Sequence, residues 1–268
     1  MNKYTITQFR TDFPNDDVCL AYIFAKKFPT LKGYYRIKSR KAFANAQGKQ
    51  IYPLKSTIFE KSNTKLTLWF YAIYLFSVSK NGVSAKELQR QLGVTYKTAW
   101  RIAKQIRSLM EDGGDMLGGI VEVDETYIGG YRKGGQGGKG KTPVFGMVER
   151  GGALKARVIE ARETHILLNE IKENVEKGTM IMSDQLGAYR KTNKLGFTHD
   201  AVNHWKKEFA RGRVHTNSIE GFWSQMKRSI RGTYHFVSVK HLQAYANEFA
   251  FRYSHRQSPI FSVLMARI

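Results

Sequence analysis

The hydrophobic pattern changes character near residue 115, and that change constrains the fold more than any other feature. Before it the readable apolar positions fall at helical spacing, whereas from Gly119 onward strand-like alternation enters, with helices between and after the strands. Leu66, Trp69, Phe70, Ile73, Tyr74 and Phe76 mark one amphipathic helix over 64–77. Ser84 reads as a helix N-cap, with Glu87 three residues later completing a capping box. Gly93 ends that helix, and Thr95 caps a second over 96–110. Residues 111–115, acidic and glycine-bearing, read as a flexible linker. Strands are then expected over 119–124, 144–149 and 154–159, a helix over 165–175, and strands over 180–182 and 199–202. A long helix from Ser218 and another over 239–253 close the pattern. The order βββαβ, continued by further strand and helices, implies an α/β (α+β) core with a mixed sheet and helices packed on it.

The first sixty residues have no clean period and carry a basic run, KGYYRIKSRK, so 1–62 is read as a small basic module. Residues 63–112 form a helical region and 117–256 the mixed core. The pair of helices around Gly93 is a helix-turn-helix pattern, whose second helix offers Tyr96, Lys97, Arg101, Lys104 and Arg107 to a DNA major groove; a plain helical hairpin is the alternative.

Lysine and arginine number 44 against 22 acidic residues, a formal charge of +22, which favours a polyanionic partner and nucleic acid above all. Charge does not name a chemistry, and a ribosome-associated basic protein satisfies it as well. A hydrophobic content of 42% argues against a disordered basic tail, which lacks the apolar surface to offset ordering entropy. The single cysteine, Cys19, leaves no internal disulfide and no four-cysteine zinc site. With polar residues over 1–14 and an apolar stretch, 66–78, too short for a bilayer, a cytoplasmic protein away from membranes is expected.

The chemistry is carried by acids. Asp124 and Asp184 each end a short apolar strand, and two such strands side by side bring their carboxylates close enough to repel unless a divalent cation lies between. Glu220 follows on the helix, a step of 36 after Asp184, itself a step of 60 after Asp124. Lys227, seven residues beyond Glu220, shares its helical face and can meet a phosphate. Glu122 and Glu125 are local rivals of Asp124, the first on its face of the strand and the second on the opposite face. Asn217 rivals Glu220, either as a ligand or as support for water or substrate.

The motifs VEVDETYIGG, MSDQLGAY and HTNSIEGFWSQMKRSIRGTYH, in this order, resemble those of the DDE transposases of bacterial insertion sequences, and the resemblance covers roughly 57–256. It implies a ribonuclease H-like catalytic domain in which Asp124, Asp184 and Glu220 bind two Mg2+ or Mn2+ ions. Terminal repeats of double-stranded DNA would be cut and joined to a target by a homodimer or larger assembly. A transposon-derived DNA-binding protein that no longer cuts is the second reading, and a nuclease of the same core the third. Lys227, Arg228 and Arg231 on the last motif, Lys97, Arg101 and Lys104 in the helix-turn-helix, and Arg132, Lys133, Lys139 and Lys141 in a glycine-rich loop are the expected DNA contacts. That loop lacks the spacing of a nucleotide-binding P-loop.

Members of this branch often begin with a zinc ribbon. Here Phe28 and Leu31 stand where its first cysteine pair would fall, and Phe43 and Ala46 at the second, so apolar packing is expected in place of zinc. His204, His215 and His235 lie near the acids and are read first as structural hydrogen-bonding groups; Phe222 and Trp223 are read as core.

Overall fold

The computed structural model describes residues 4–129, 140–184, 187–202 and 215–268. It divides into two compact units, Met1–Leu109 with Ser258–Ile268, and Met110–Gln257.

In the first unit, α1 (Ile6–Asp12) and α2 (Asp16–Lys27) precede a small antiparallel meander of β1 (Tyr35–Ile37), β2 (Ala42–Ala44) and β3 (Gln50–Ile51). Both helices have local caps. Thr5 and Gln8 form a reciprocal capping box for α1, and the Asn15 side chain accepts from the Val18 N–H at the start of α2. On the meander Phe43 is buried and stacks on Phe24 at 4.2 Å, with Phe28 5.6 Å from Phe24 on its other side. Leu31 and Ala46 are exposed, so two of the four zinc-ribbon positions join an aromatic cluster and two do not.

The helix α3 (Leu66–Val78) is more deeply set than an amphipathic pattern implies. Leu66, Trp69, Phe70, Ala72, Ile73, Tyr74 and Phe76 are all buried, a majority of its residues, which makes it the central rod of this unit. Its own N-cap residue, Lys65, makes no side-chain cap bond. Instead the Asp16 carboxylate accepts the Leu66 and Thr67 N–H groups at 3.0 and 2.9 Å, a cap delivered from α2. The helices α4 (Ala85–Leu92) and α5 (Tyr96–Ser108) follow, capped by Ser84 and Thr95 as the sequence predicts, with Gly93 in the left-handed conformation between them. The Ser84 box is only half formed, because the Glu87 side chain turns to Arg90 and Gln91. Ile260–Ala266 forms a short C-terminal helix against α3.

The second unit is a five-stranded mixed sheet. Its strands are β4 (Ile120–Ile128), β5 (Thr142–Glu149), β6 (Leu154–Val158), β7 (Met180–Asp184) and β8 (Thr198–Val202), in the spatial order β6-β5-β4-β7-β8. The first three are an antiparallel meander, and β7 and β8 run parallel to β4. This is a mixed α/β core with helices packed on the sheet, as the order of elements in the sequence implies. One face carries α6 (Thr164–Asn174) and the 3-10 segment Gly187–Leu195, packed on Val121, Val123, Phe145 and Ile181. The other carries α7 (Asn217–Ser229) and α8 (Val239–Ser254), whose Ile219, Phe222, Trp223, Leu242 and Phe249 meet Val144, Val148 and Ala156. Each such side chain contributes roughly 1.5–3 kcal/mol on full burial. The expected linker over 111–115 is tied down at Asp112, which pairs with Lys155 at 3.2 Å and Arg157 at 2.6 Å. No helix of the described residues is long and apolar enough to cross a membrane.

Candidate active site

β4 and β7 pair in parallel with Ile120 opposite Met180 and Glu122 opposite Met182, an offset of 60 that is also the separation of Asp124 and Asp184, which lie two residues beyond the last paired positions. Asp184 ends β7 as expected. Asp124 does not end β4, which runs on to Ile128 because its other neighbour, β5, pairs with it along its length and puts Gly146 opposite Asp124.

The third acid is set by how α7 docks. The N-cap position of α7, Thr216, makes no side-chain cap bond; its hydroxyl donates to Glu220 Oε1 at 2.8 Å and fixes that side chain. The cap comes from Glu122, whose carboxylate accepts the Ser218 and Ile219 N–H groups at 2.8 and 3.1 Å and the Ser218 hydroxyl at 3.1 Å. Glu122 has 0% side-chain exposure, and Arg150 neutralises it at 2.8 Å while also donating to the His215 carbonyl at 2.7 Å. His215 itself lies 3.2 Å from Glu122 through Nδ1. An acid so fully engaged holds a helix in place and has no free oxygen lone pairs to spare for chemistry.

One turn along α7, Trp223 lies flat enough on the sheet for its indole N–H to donate to Asp124 Oδ2 at 3.1 Å. Gly146 makes room for it: a Cβ there would stand 2.5 Å from Trp223 Cζ2 and 2.7 Å from Ile219 Cδ1. Burial, followed by the like charges of Glu125 and Asp184 and, more weakly, Glu220, pushes the Asp124 carboxyl up to about 7 from its ordinary 3.8.

Glu125 points to the opposite face, as alternation requires, and its side chain is 1% exposed. It accepts from the Tyr189 hydroxyl at 2.7 Å and pairs with Arg162 at 3.3 Å, while Oε2 has no hydrogen-bond partner. Burial raises its carboxyl, against the pull of Tyr189 and Arg162. Arg162 also reaches to 3.9 Å from Asp184, which links the two acids from below. Lys227, half-buried in the last turn of α7, is lowered by burial and by Arg231 and Lys141, and is held up by Asp124. Among the described residues no three His, Cys, Asp or Glu side chains stand close enough to hold a metal ion as they are. The acids feel each other's charge without converging.

Asn217 is exposed at the first position of α7, and Arg228 is exposed with its guanidinium on Gln225 at 3.2 Å. Arg231 and Lys141 are exposed beside Lys227. On α5, Lys97 and Lys104 are exposed together with Tyr96 and Trp100, but Arg101 donates to the Glu60 carbonyl at 2.9 Å and Arg107 is buried, donating to the Val83 carbonyl. These two arginines serve the fold of the first unit, because a helix face turned inward needs its polar ends satisfied. Arg132, Lys133, Lys139 and His204 lie outside the described residues. The sequence reading missed the Trp223 bond, the Arg162 bridge and the capping role of Glu122. Only the last left a signal, an acid facing inward in an apolar strand.

An ISXO2-like transposase domain matches residues 116–254. The uncharacterized protein in transposable element ISH50 of Halobacterium salinarum is 28% identical, over 73% of this chain and 72% of that protein. A simian T-cell lymphotropic virus intasome in complex with PP2A regulatory subunit B56 gamma matches structurally at a TM-score of 0.32 and 12% identity, over 68% of this chain and 65% of its own.

Proposed function

The chain belongs to the ISXO2-like transposase domain family, and from that premise we propose that it cuts DNA at the terminal repeats of an insertion sequence and joins the freed strand to a target. Asp124, Asp184 and Glu220 are the residues that would hold two Mg2+ or Mn2+ ions. One observation carries this reading: carboxylates from β4, β7 and α7 lie within electrostatic reach, so that after burial and the charge of Glu125 those of Asp184 and, more weakly, Glu220 help to raise Asp124 to about 7. Hard oxygen donors that repel one another suit a hard divalent cation. Such ions, when bound, activate the attacking hydroxyl and stabilise the leaving 3′-oxygen of an in-line displacement.

The protein's own groups orient the site. Trp223 fixes one oxygen of Asp124, Thr216 fixes Glu220, and Arg162 steadies Asp184 from the opposite face. Lys227 stands near Asp124 to meet the phosphate next to the reacting one. Recognition of the ends falls to the helix-turn-helix, where Tyr96, Lys97, Trp100 and Lys104 line the exposed face of α5. Two ends must be brought together, so the acting species is a dimer or larger assembly.

The test is strand cleavage of a labelled duplex bearing the repeats, with Mg2+ or Mn2+, by wild type and Asp184→Asn. Metal-dependent cleavage that disappears in the variant is expected. Binding to the repeats with no cleavage by wild type at any metal concentration would point instead to a DNA-binding protein that no longer cuts.

A further inference from the structure

Beside the acids, the end of β4, Lys141, the last turn of α7 and the following π-helical turn (Ile230–Tyr234) enclose a cavity of about 80 Å3. A water occupies roughly 10–15 Å3 on this measure, so the space suits a tetrahedral oxyanion better than a nucleobase. Three cations enter it from three elements: Lys141, Lys227 and Arg231. Among the described residues none of the three side chains has a hydrogen bond or an ion pair with a protein group. After burial, the like charges of Arg231 and Lys141 help to lower Lys227.

The backbone is shaped around this space. A Cβ on Gly129 would stand 3.2 Å from the Lys141 Cα, so glycine lets the two strand ends close up and keeps Lys141 at the cavity. At the other wall His235 has φ 60 and ψ −48, and the Phe236 N–H donates to the Tyr234 carbonyl at 2.7 Å. This is a γ-turn of the strained, positive-φ kind, which needs surrounding structure to persist. It turns Phe236 outward, 68% exposed, while the next residue, Val237, is buried at 8%.

We propose that Lys141, Lys227 and Arg231 form one seat for a single phosphate of a DNA strand, with Phe236 at its mouth as the surface on which the adjoining base stacks. This deepens the reading of the acids as a DNA-processing site and rests on it for the identity of the strand. Cations sharing one anion, next to an exposed aromatic ring, are how proteins track a single-stranded stretch.

A shared seat differs from three independent contacts in how losses combine. Binding of the full chain to a fluorescent duplex with a short single-stranded end would be measured in EDTA over a range of salt, for Lys141→Ala, Arg231→Ala and the double variant. Each single change should weaken binding roughly tenfold and flatten the log–log salt slope by about 0.7, the share of one phosphate of a single strand. The double variant should lose no more than about threefold beyond the weaker single and flatten the slope no further, because the same phosphate is lost. Losses that multiply to about a hundredfold, with twice the change in slope, would overturn the shared seat, as would no loss at all. Phe236→Ala should cost about tenfold on the overhanging duplex and nothing on a blunt one; equal effects on both would remove its stacking role. Lys141→Gln and Arg231→Gln, with melting curves, repeat the cycle without shortening the side chains as far. Because no metal is present, failure here leaves the cleavage reading standing, and failure of cleavage leaves this result interpretable.

Discussion

Glu122 and Asp124 lie two residues apart on one strand and one face, yet their surroundings are opposite. Glu122 is sealed from water with an arginine, two amides and a hydroxyl on its oxygens. Asp124 has only the Trp223 indole N–H and the Glu125 backbone N–H on its side chain, and like charges around it. The lower region of β4 has donors in excess of charge and is held rigid, whereas the region around Asp124 has charge in excess of donors and is left wanting a cation. What separates these two acids is the count of partners that the surrounding elements bring, and α7 supplies donors to both.

The contrast can be broken most strongly from its stable side. Glu122→Ala leaves Arg150 uncompensated and α7 uncapped, and should cost about 3–5 kcal/mol in chemical denaturation, whereas Asp124→Asn should cost nothing or stabilise the fold. The next effect is in pH. A carboxyl held at about 7 in the folded chain against 3.8 keeps a proton that the unfolded chain has released. Stability from this group is therefore greatest below about 4 and falls as pH rises toward 7, by at most about 4 kcal/mol. Thermal melts between pH 4 and 8 should show this slope in wild type but not in Asp124→Asn, and Mn2+ should recover stability at the alkaline end. The Trp223 indole N–H resonance should titrate with the same midpoint, and its failure to move would show that the proton sits elsewhere. Smallest is Gly146→Ala, whose Cβ collides with Trp223 and should cost about 1–3 kcal/mol, withdrawing the indole from Asp124 and loosening the contrast without deleting either acid.

The order of the second unit's strands and helices was legible because each element there buries one face and so keeps a clean period. The two caps around Gly93 were legible for the same local reason. α1 and α2 were missed although Thr5-x-x-Gln8 and Asn15 are cap signals, because the aromatic residues that follow pack in several directions and blur the period. Asp124, Asp184 and Glu220 were singled out from motif and spacing. Their environment was not: the Trp223 bond depends on a glycine opposite Asp124, and that pairing exists only once β5 has folded against β4. Arg101 and Arg107 show the same limit, since a basic residue on a predicted recognition helix says nothing about whether its guanidinium is already spent on a carbonyl.

Glu122 is also a clock. It accepts from Ser218 and Ile219, 96 and 97 residues further along the chain, so until α7 has been made β4 carries a buried acid answered by Arg150 alone. The helix that answers it brings Glu220 one turn further on. During synthesis the growing chain therefore holds two of its acids early and gains the third in the same event that lets the sheet close. Chains that stop short of α7 would therefore have α4 and α5 complete with their caps while Glu122 still lacked its helix and Glu220 was absent.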